Sequence, residues 1–252
     1  MLNINQNQNE YRYQIGRRDG PQDGDVVIVI DKSVMKKFRR QVYFLAAIFC
    51  LVSVIPWAIG CALEFRIVDT WRVPAYVWLF MALMCQMILS CFPQTRFSAP
   101  CNWILVLSMV ICMTLFGCHF LFLLNVETFL VAVLIASVLL VVLHLCGAYC
   151  PQVVLPNSLC TACVLLLCIL TLIVHGILLL VLNDPIYGLV FCIVLFVLVL
   201  LMIPFNSQYI NGRLKFPPIG EALVCSLSIY IHFIIMVISM CAFSYYYDFY
   251  NG

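Results

Sequence analysis

The sequence predicts an all-α integral membrane protein, a bundle of seven transmembrane helices whose last helix turns a polar seam toward the bundle interior. Composition is the first reason. Of 252 residues, 65% are hydrophobic and only 10% are charged, and mean hydropathy is +1.10. Soluble domains are nearer half apolar and a quarter charged, so a water-filling globule is excluded. Patterning is the second. Seven apolar runs, at 44–63, 75–92, 101–124, 128–149, 159–182, 186–206 and 222–244, have the length that a helix needs to cross hydrocarbon, roughly 17–25 residues. Backbone groups find no water there, so helices are the expected solution, and no barrel-like alternation of polar and apolar residues competes. The third is the spacing of polar residues in the last run. Glu221, Cys225, Ser228, His232 and Ser239 fall on one helical stripe, while Ile229, Ile231, Phe233 and Ile234 form an oily back expected to face lipid or a peripheral helix.

The chain opens with a polar arm, 1–43, rich in Asn, Gln, Gly and Asp and basic over 32–40. It is expected to lack stable structure or to lie loosely on the membrane surface. No apolar core follows Met1, so a cleavable signal peptide is not expected. Within the arm, Val26-Val27-Ile28-Val29-Ile30 reads either as a short strand or as a partner-binding motif. The seven-helix domain occupies 44–244, and a short tail, 245–252, ends the chain. The connections at 125–127 and 183–185 are brief, so the third and fourth spans, and the fifth and sixth, are expected to be antiparallel neighbours.

Two spans carry a proline. Pro56 frees the carbonyl of Val52, and Pro204 frees that of Leu200 two residues before Asn206. Two readings of Pro204 stand side by side: a plain bend near a helix end, or spare acceptors for an ion or a water beside a buried amide.

Eleven of the thirteen lysines and arginines fall on the amino-terminal side of this topology, and only Arg66 and Arg72 fall opposite. The positive-inside rule then places the amino terminus in the cytosol and the tail across the membrane. A net charge of only +2 argues against a nucleic-acid partner. The fifteen cysteines lie mostly inside apolar runs, where they pack as small soft residues. Cys160-Thr161-Ala162-Cys163 has redox spacing, but no second pair accompanies it, and neither metal nor cofactor is expected. No phosphate-binding loop, His-Glu metal motif or nucleophile–base–carboxylate constellation appears, so no enzyme is expected. All four histidines lie inside spans. His119, His144 and His175 read as structural, bonding across helices to a carbonyl or hydroxyl. His232, on the polar seam, is a functional candidate because a histidine in hydrocarbon normally faces a partner or a wet cavity.

Three stretches carry a family resemblance. Asn206-Ser207-Gln208-Tyr209, Asn211-Gly212-Arg213, Glu221-Ala222-Leu223 and Ser228-Ile229-Tyr230-Ile231-His232 together resemble the last two helices of the Lifeguard branch of the Bax-inhibitor-motif membrane proteins. Phe38-Arg39-Arg40-Gln41-Val42-Tyr43 resembles the family's entry to its first helix, and Arg96-Phe97 with Pro100-Cys101-Asn102 its entry to the third. The family's two acidic positions are Asn206 and His232 here. The resemblance implies regulation of apoptosis and of intracellular calcium homeostasis from an endoplasmic reticulum or Golgi membrane rather than the plasma membrane. In the family, the two carboxylates share a proton and bond a basic residue near the cytosolic end of the second helix. Deprotonation loosens that latch and lets calcium leak.

Arg96 is the candidate for the basic partner, and Ser228 and Glu221 complete the set of ion-path or pH-sensor candidates. With the acidic pair replaced, calcium as a permeant ion is in question. The alternative is a non-conducting scaffold acting through other membrane proteins or apoptosis regulators. The expected surroundings are the lipid bilayer in either case.

Overall fold

A computed structural model describes residues 10–15, 26–63, 73–119, 124–151, 158–182, 184–213 and 219–251. Of the amino-terminal arm it describes two strands, β1 (Glu10–Ile15) and β2 (Val26–Asp31), paired antiparallel with Glu10 opposite Asp31 and Ile15 opposite Val26. The apolar run at 26–30 is therefore a strand. Arg66, Arg72, Lys215 and the first nine residues lie outside the described residues.

Helices follow in chain order: α1 (Lys32–Ala62), α2 (Ala75–Cys91), the single turn α3 (Pro93–Phe97), α4 (Cys101–Cys118), α5 (Val126–Tyr149), α6 (Ser158–Leu182), α7 (Pro185–Ile210) and α8 (Ala222–Asn251). Six of these are long and apolar enough to cross a membrane, and α2 is a shorter apolar helix of 17 residues. Beyond the β1–β2 pair the described chain is helical, and the architecture is that of an α-helical, multi-pass membrane protein. Its outer surface agrees: Leu51, Ile55 and Ile59 of α1, Leu134 and Val138 of α5, and Leu166, Leu170 and Val174 of α6 are all exposed. A continuous belt of this kind is stable only where the solvent is itself apolar.

Helix α1 begins twelve residues before the expected start of the first span. The cause is visible in its buried stripe. Met35, Phe38, Val42, Ala46, Phe49, Ser53, Trp57 and Cys61 recur every three or four residues without a break. The basic residues 32–40 occupy the rest of the first two turns, so the arm runs into the span as one amphipathic helix. It passes through Pro56 without ending, as α7 passes through Pro204.

The centre of the bundle is α8, which packs against α1, α4, α5 and α7. Leu223, Leu227, Tyr230, Phe233, Ile234, Met236, Val237 and Cys241 are all buried and cover about half the circumference at 100° per residue, while a stripe at Val224, Ser228, Ile231, Ile235 and Ile238 is only half-buried. Most of the expected oily back does not face lipid: Ile234 is 0% exposed, Ile229 only 3% and Phe233 is buried, while Ile231 is half-buried. Neighbouring helices cover that back, which is why an apolar face on a central helix cannot be told from a lipid-facing one by periodicity. The expected pairing of helices also changes in part. Helices α6 and α7 pack together, but α4 packs chiefly on α2 and α1, and α5 on α7 and α8. Trp57 of α1 stands between α4 and α5, donating from Nε1 to Thr114 O at 2.7 Å and meeting the Phe129 ring edge-on at 6.5 Å. Gly117 makes room for that indole, since a Cβ there would collide with its ring.

A buried hydroxyl network ties three helices together. Ser53 Oγ of α1 lies 2.6 Å from Thr114 Oγ1 of α4 and 2.7 Å from Tyr230 Oη of α8. Thr114 Oγ1 also donates to Val110 O at 2.8 Å, and Tyr230 Oη lies 3.3 Å from the same carbonyl. Interhelical hydrogen bonds inside membrane proteins average about 0.6 kcal/mol, with a maximum near 1.7. Removing the Tyr230 ring, by contrast, leaves a cavity against Phe49, which it meets at 6.2 Å. Tyr230→Phe is therefore expected to cost about 0.5–2 kcal/mol and Tyr230→Ala about 3–5 kcal/mol, measured by reversible unfolding in mixed detergent micelles.

Candidate functional site

The polar residues converge at the end of the bundle where α1 begins and α5 and α7 end. Helix α7 stops through its sequence. Gly212, at φ 68°, takes the left-handed conformation that ends a helix, with Arg213 N donating to Gln208 O at 2.9 Å and Gly212 N to Tyr209 O at 3.1 Å. This turn aims two side chains inward. Asn211 accepts from Arg39 Nη1 at 3.1 Å and donates from Nδ2 to Ser207 O at 2.8 Å. Arg213 Nη1 reaches Gly147 O at 2.9 Å, placing a cation on the last carbonyls of α5, where the helix dipole favours it.

Small residues allow α5 and α7 to close on one another there. A Cβ on Gly147 would run into Pro204 O and the Ser207 side chain, and Ser207 Oγ donates to His144 O at 2.6 Å. Ser226 of α8 shares its hydrogen between Ala222 O, at 2.6 Å, and Val42 O of α1, at 2.9 Å. Four helices are thus stitched together within about two turns of the bundle end.

The candidate residues separate into two groups. Arg96 and Glu221 come together: Arg96 Nη1 lies 3.4 Å from Glu221 Oε2, with both side chains partly exposed. The same guanidinium donates from Nε to Leu89 O at 2.6 Å and from Nη2 to Ser90 O at 3.5 Å, closing the end of α2. Glu221 immediately precedes Ala222, so its carboxylate sits at the positive end of the α8 dipole. Gly220, at φ 98°, turns the chain into that helix over the Phe97 ring. Asn206 and His232 form the second group, being half-buried residues with Asn206 Nδ2 and His232 Nδ1 fully buried and without a hydrogen-bond partner among the described residues. Ser228 is half-buried one turn before His232.

Sequence reasoning missed the most deeply placed member. His144, on α5, is 6% exposed, and both of its ring nitrogens lack a partner among the described residues. Its ring meets Tyr43 of α1 edge-on at 5.6 Å, and it is near enough to His232 for the two imidazoles to interact electrostatically. No local signal marks it, because its neighbours come from helices 63 or more residues away in the chain. His175 does take up a carbonyl, but one in its own helix, Thr171 O at 2.9 Å, rather than across to another.

Between α1, α5 and the end of α7 lies a cavity of about 450 Å³, into which Lys36, Arg39, Tyr43, His144, Tyr149 and Asn211 all project. None of the described residues lining it is acidic. Chemically, this end of the bundle offers hydrogen-bond donors and positive charge, whereas a calcium site needs several anionic or carbonyl oxygens. Among the described residues no group of three His, Cys, Asp or Glu side chains is placed to hold a metal ion.

No family model and no curated protein matches the chain.

Asn211→Ala removes the acceptor for Arg39 and the donor to Ser207 together, and is expected to lower stability by about 1–3 kcal/mol. His144→Phe keeps the ring and its edge contact with Tyr43 while deleting two nitrogens that bond nothing described. It is expected to leave the thermal midpoint in detergent within a degree or two of the parent, or to raise it.

Proposed function

We propose that the chain is a seven-helix protein on the Lifeguard / Bax-inhibitor-motif scaffold that regulates cell death and calcium homeostasis from an endoplasmic reticulum or Golgi membrane. It does so through its cytosolic arm and helix faces, acting on other membrane or apoptosis-regulating proteins, and not by passing calcium itself. The observation that carries this reading is the charge of the site. The two acidic positions of the scaffold are an amide, Asn206, and an imidazole, His232. Glu221, the acidic member of the candidate set, is already engaged by Arg96. A latch made by two carboxylates sharing a proton has no counterpart in this arrangement. One observation favours a second reading, a conduction path with altered gating. Asn206, His232 and His144 each keep a buried nitrogen without a partner among the described residues, and Pro204 frees the carbonyl of Leu200 on the helix that carries Asn206.

The seventh span in this reading is α2. Its 17 residues rise about 26 Å, a few ångströms short of a typical hydrocarbon core of about 30 Å. Arg96 at one end and Pro74 at the other would mark its two interfaces. Seven spans put the two termini on opposite sides, whereas six would put them on the same side. Tags at each end, probed by protease in sealed microsomes, are expected to show an accessible amino terminus and a protected carboxyl terminus. Access to both tags would remove α2 from the spans.

Calcium efflux from vesicles containing the purified protein separates the two functional readings. The parent chain is expected to give no efflux above empty vesicles at any pH between about 5 and 8, the range over which a histidine-based switch would operate. Efflux that changes with pH in that window would establish conduction instead. Asn206→Asp with His232→Asp supplies the missing carboxylates and is expected to open a pH-dependent leak if the scaffold retains its path. Each added carboxylate costs about 2.5–3.5 kcal/mol at mid-membrane if it finds no partner, so this variant is compared only as a monodisperse preparation.

A further inference from the structure

We infer that the cavity between α1, α5 and the end of α7 is a binding site for one anionic phospholipid, its headgroup held inside and its acyl chains lying along α5 in the bilayer. The inference rests on the cavity alone and does not depend on the family reading.

Four features define the occupant. The first is charge: Lys36 and Arg39 stand one helical turn apart on α1, and no described lining residue is acidic. Arg39 spends one of its five donors on Asn211, which fixes the guanidinium at the cavity and leaves donors for a phosphate. The second is the unpartnered imidazole. His144 is more than nine-tenths buried, it lines the cavity, and neither ring nitrogen has a partner among the described residues. Whichever tautomer it adopts, one nitrogen carries a hydrogen to give, and a phosphate or ester oxygen would accept it. Leaving such a group buried and unbonded costs free energy, so a ligand oxygen there gains more than it would against a solvated histidine.

Size is the third feature. About 450 Å³ lies within the usual range of small-molecule pockets, about 300–1,000 Å³. That suits a headgroup with its glycerol but not a whole lipid. The fourth is what lies beside it. Val141 and Leu145 line the cavity and are 57% and 51% exposed on the outer face of α5, so an acyl chain leaving the cavity meets apolar wall at once. Tyr43 and Tyr149 flank the opening with rings that favour the headgroup level of a bilayer. A free anion would use the first two features only. The lipid uses all four.

The test is native mass spectrometry of the full chain, released from micelles containing phosphatidylcholine and a minor share of phosphatidylserine. One retained phosphatidylserine per chain, in preference to phosphatidylcholine, is expected. Lys36→Gln is expected to lower that retention about fivefold, the usual effect of one basic residue near an anionic lipid surface. Lys37→Gln makes the same charge change one residue on, outside the cavity, and is expected to leave retention unchanged. Val141→Trp blocks the apolar wall with every charge intact, and is expected to lower retention as well. Three results would each overturn the site: equal retention of the two lipids, equal loss in Lys36→Gln and Lys37→Gln, or undiminished retention in Val141→Trp. Displacement of the bound phosphatidylserine by millimolar inorganic phosphate would show a free-anion site and overturn the lipid assignment.

Discussion

The contact on which the bundle depends is that between Ser53, Thr114 and Tyr230. Inside a bilayer no water is available to a hydroxyl, so each must be satisfied by the protein. Here each solves the problem for the others, at separations of 2.6 and 2.7 Å. Because the three belong to α1, α4 and α8, satisfying them fixes how those helices stand together. Trp57 and Gly117 add a steric constraint beside it: the indole fits only where the facing residue lacks a side chain. Packing in this layer is apolar and tight, and it buries the side of α8 that carries Tyr230, Phe233, Ile234 and Val237.

One end of the bundle is built on different terms. There the helices are joined by cations on carbonyls and by amide–hydroxyl chains: Arg39 to Asn211, Asn211 to Ser207, Ser207 to His144 O, and Arg213 to Gly147 O. These bonds leave the side chains of His144, Asn206 and His232 with buried nitrogens to spare. A polar site that is neutral or positive attracts anions and disfavours divalent cations. The proposed absence of calcium conduction and the proposed lipid site both rest on that sign.

Much of the helical architecture was legible in the residues. Runs of apolar residues at 101–124, 128–149, 159–182, 186–206 and 222–244 each correspond to a helix, because hydropathy reports directly on burial in an apolar medium. What could not be read was which apolar face meets protein and which meets lipid. Ile234 and Ile177 are chemically alike, yet one is sealed in the core and the other is 56% exposed. The short connection after α4 also misled, since chain proximity sets where a helix starts but not what lies along its length. Of the candidate site, the nearness of Arg96 to Glu221 was not anticipated, although each had been picked out singly. His144 was passed over because its surroundings are assembled from Tyr43, Ser207 and His232, which share no local pattern with it.

The central claim is that α8 is a core helix whose expected oily back, at Ile229, Phe233 and Ile234, packs on protein and not on lipid. Single cysteines placed along α8 in a cysteine-depleted background, labelled with a lipid-soluble maleimide, test it directly. That packing predicts weak labelling at 229, 230, 233, 234 and 237, more at the half-buried stripe 224, 228, 231, 235 and 238, and the strongest at exposed positions of α6 such as 174 and 177. Strong labelling at 229, 233 and 234 with weak labelling at 228 and 231 would put that back in lipid and contradict the account.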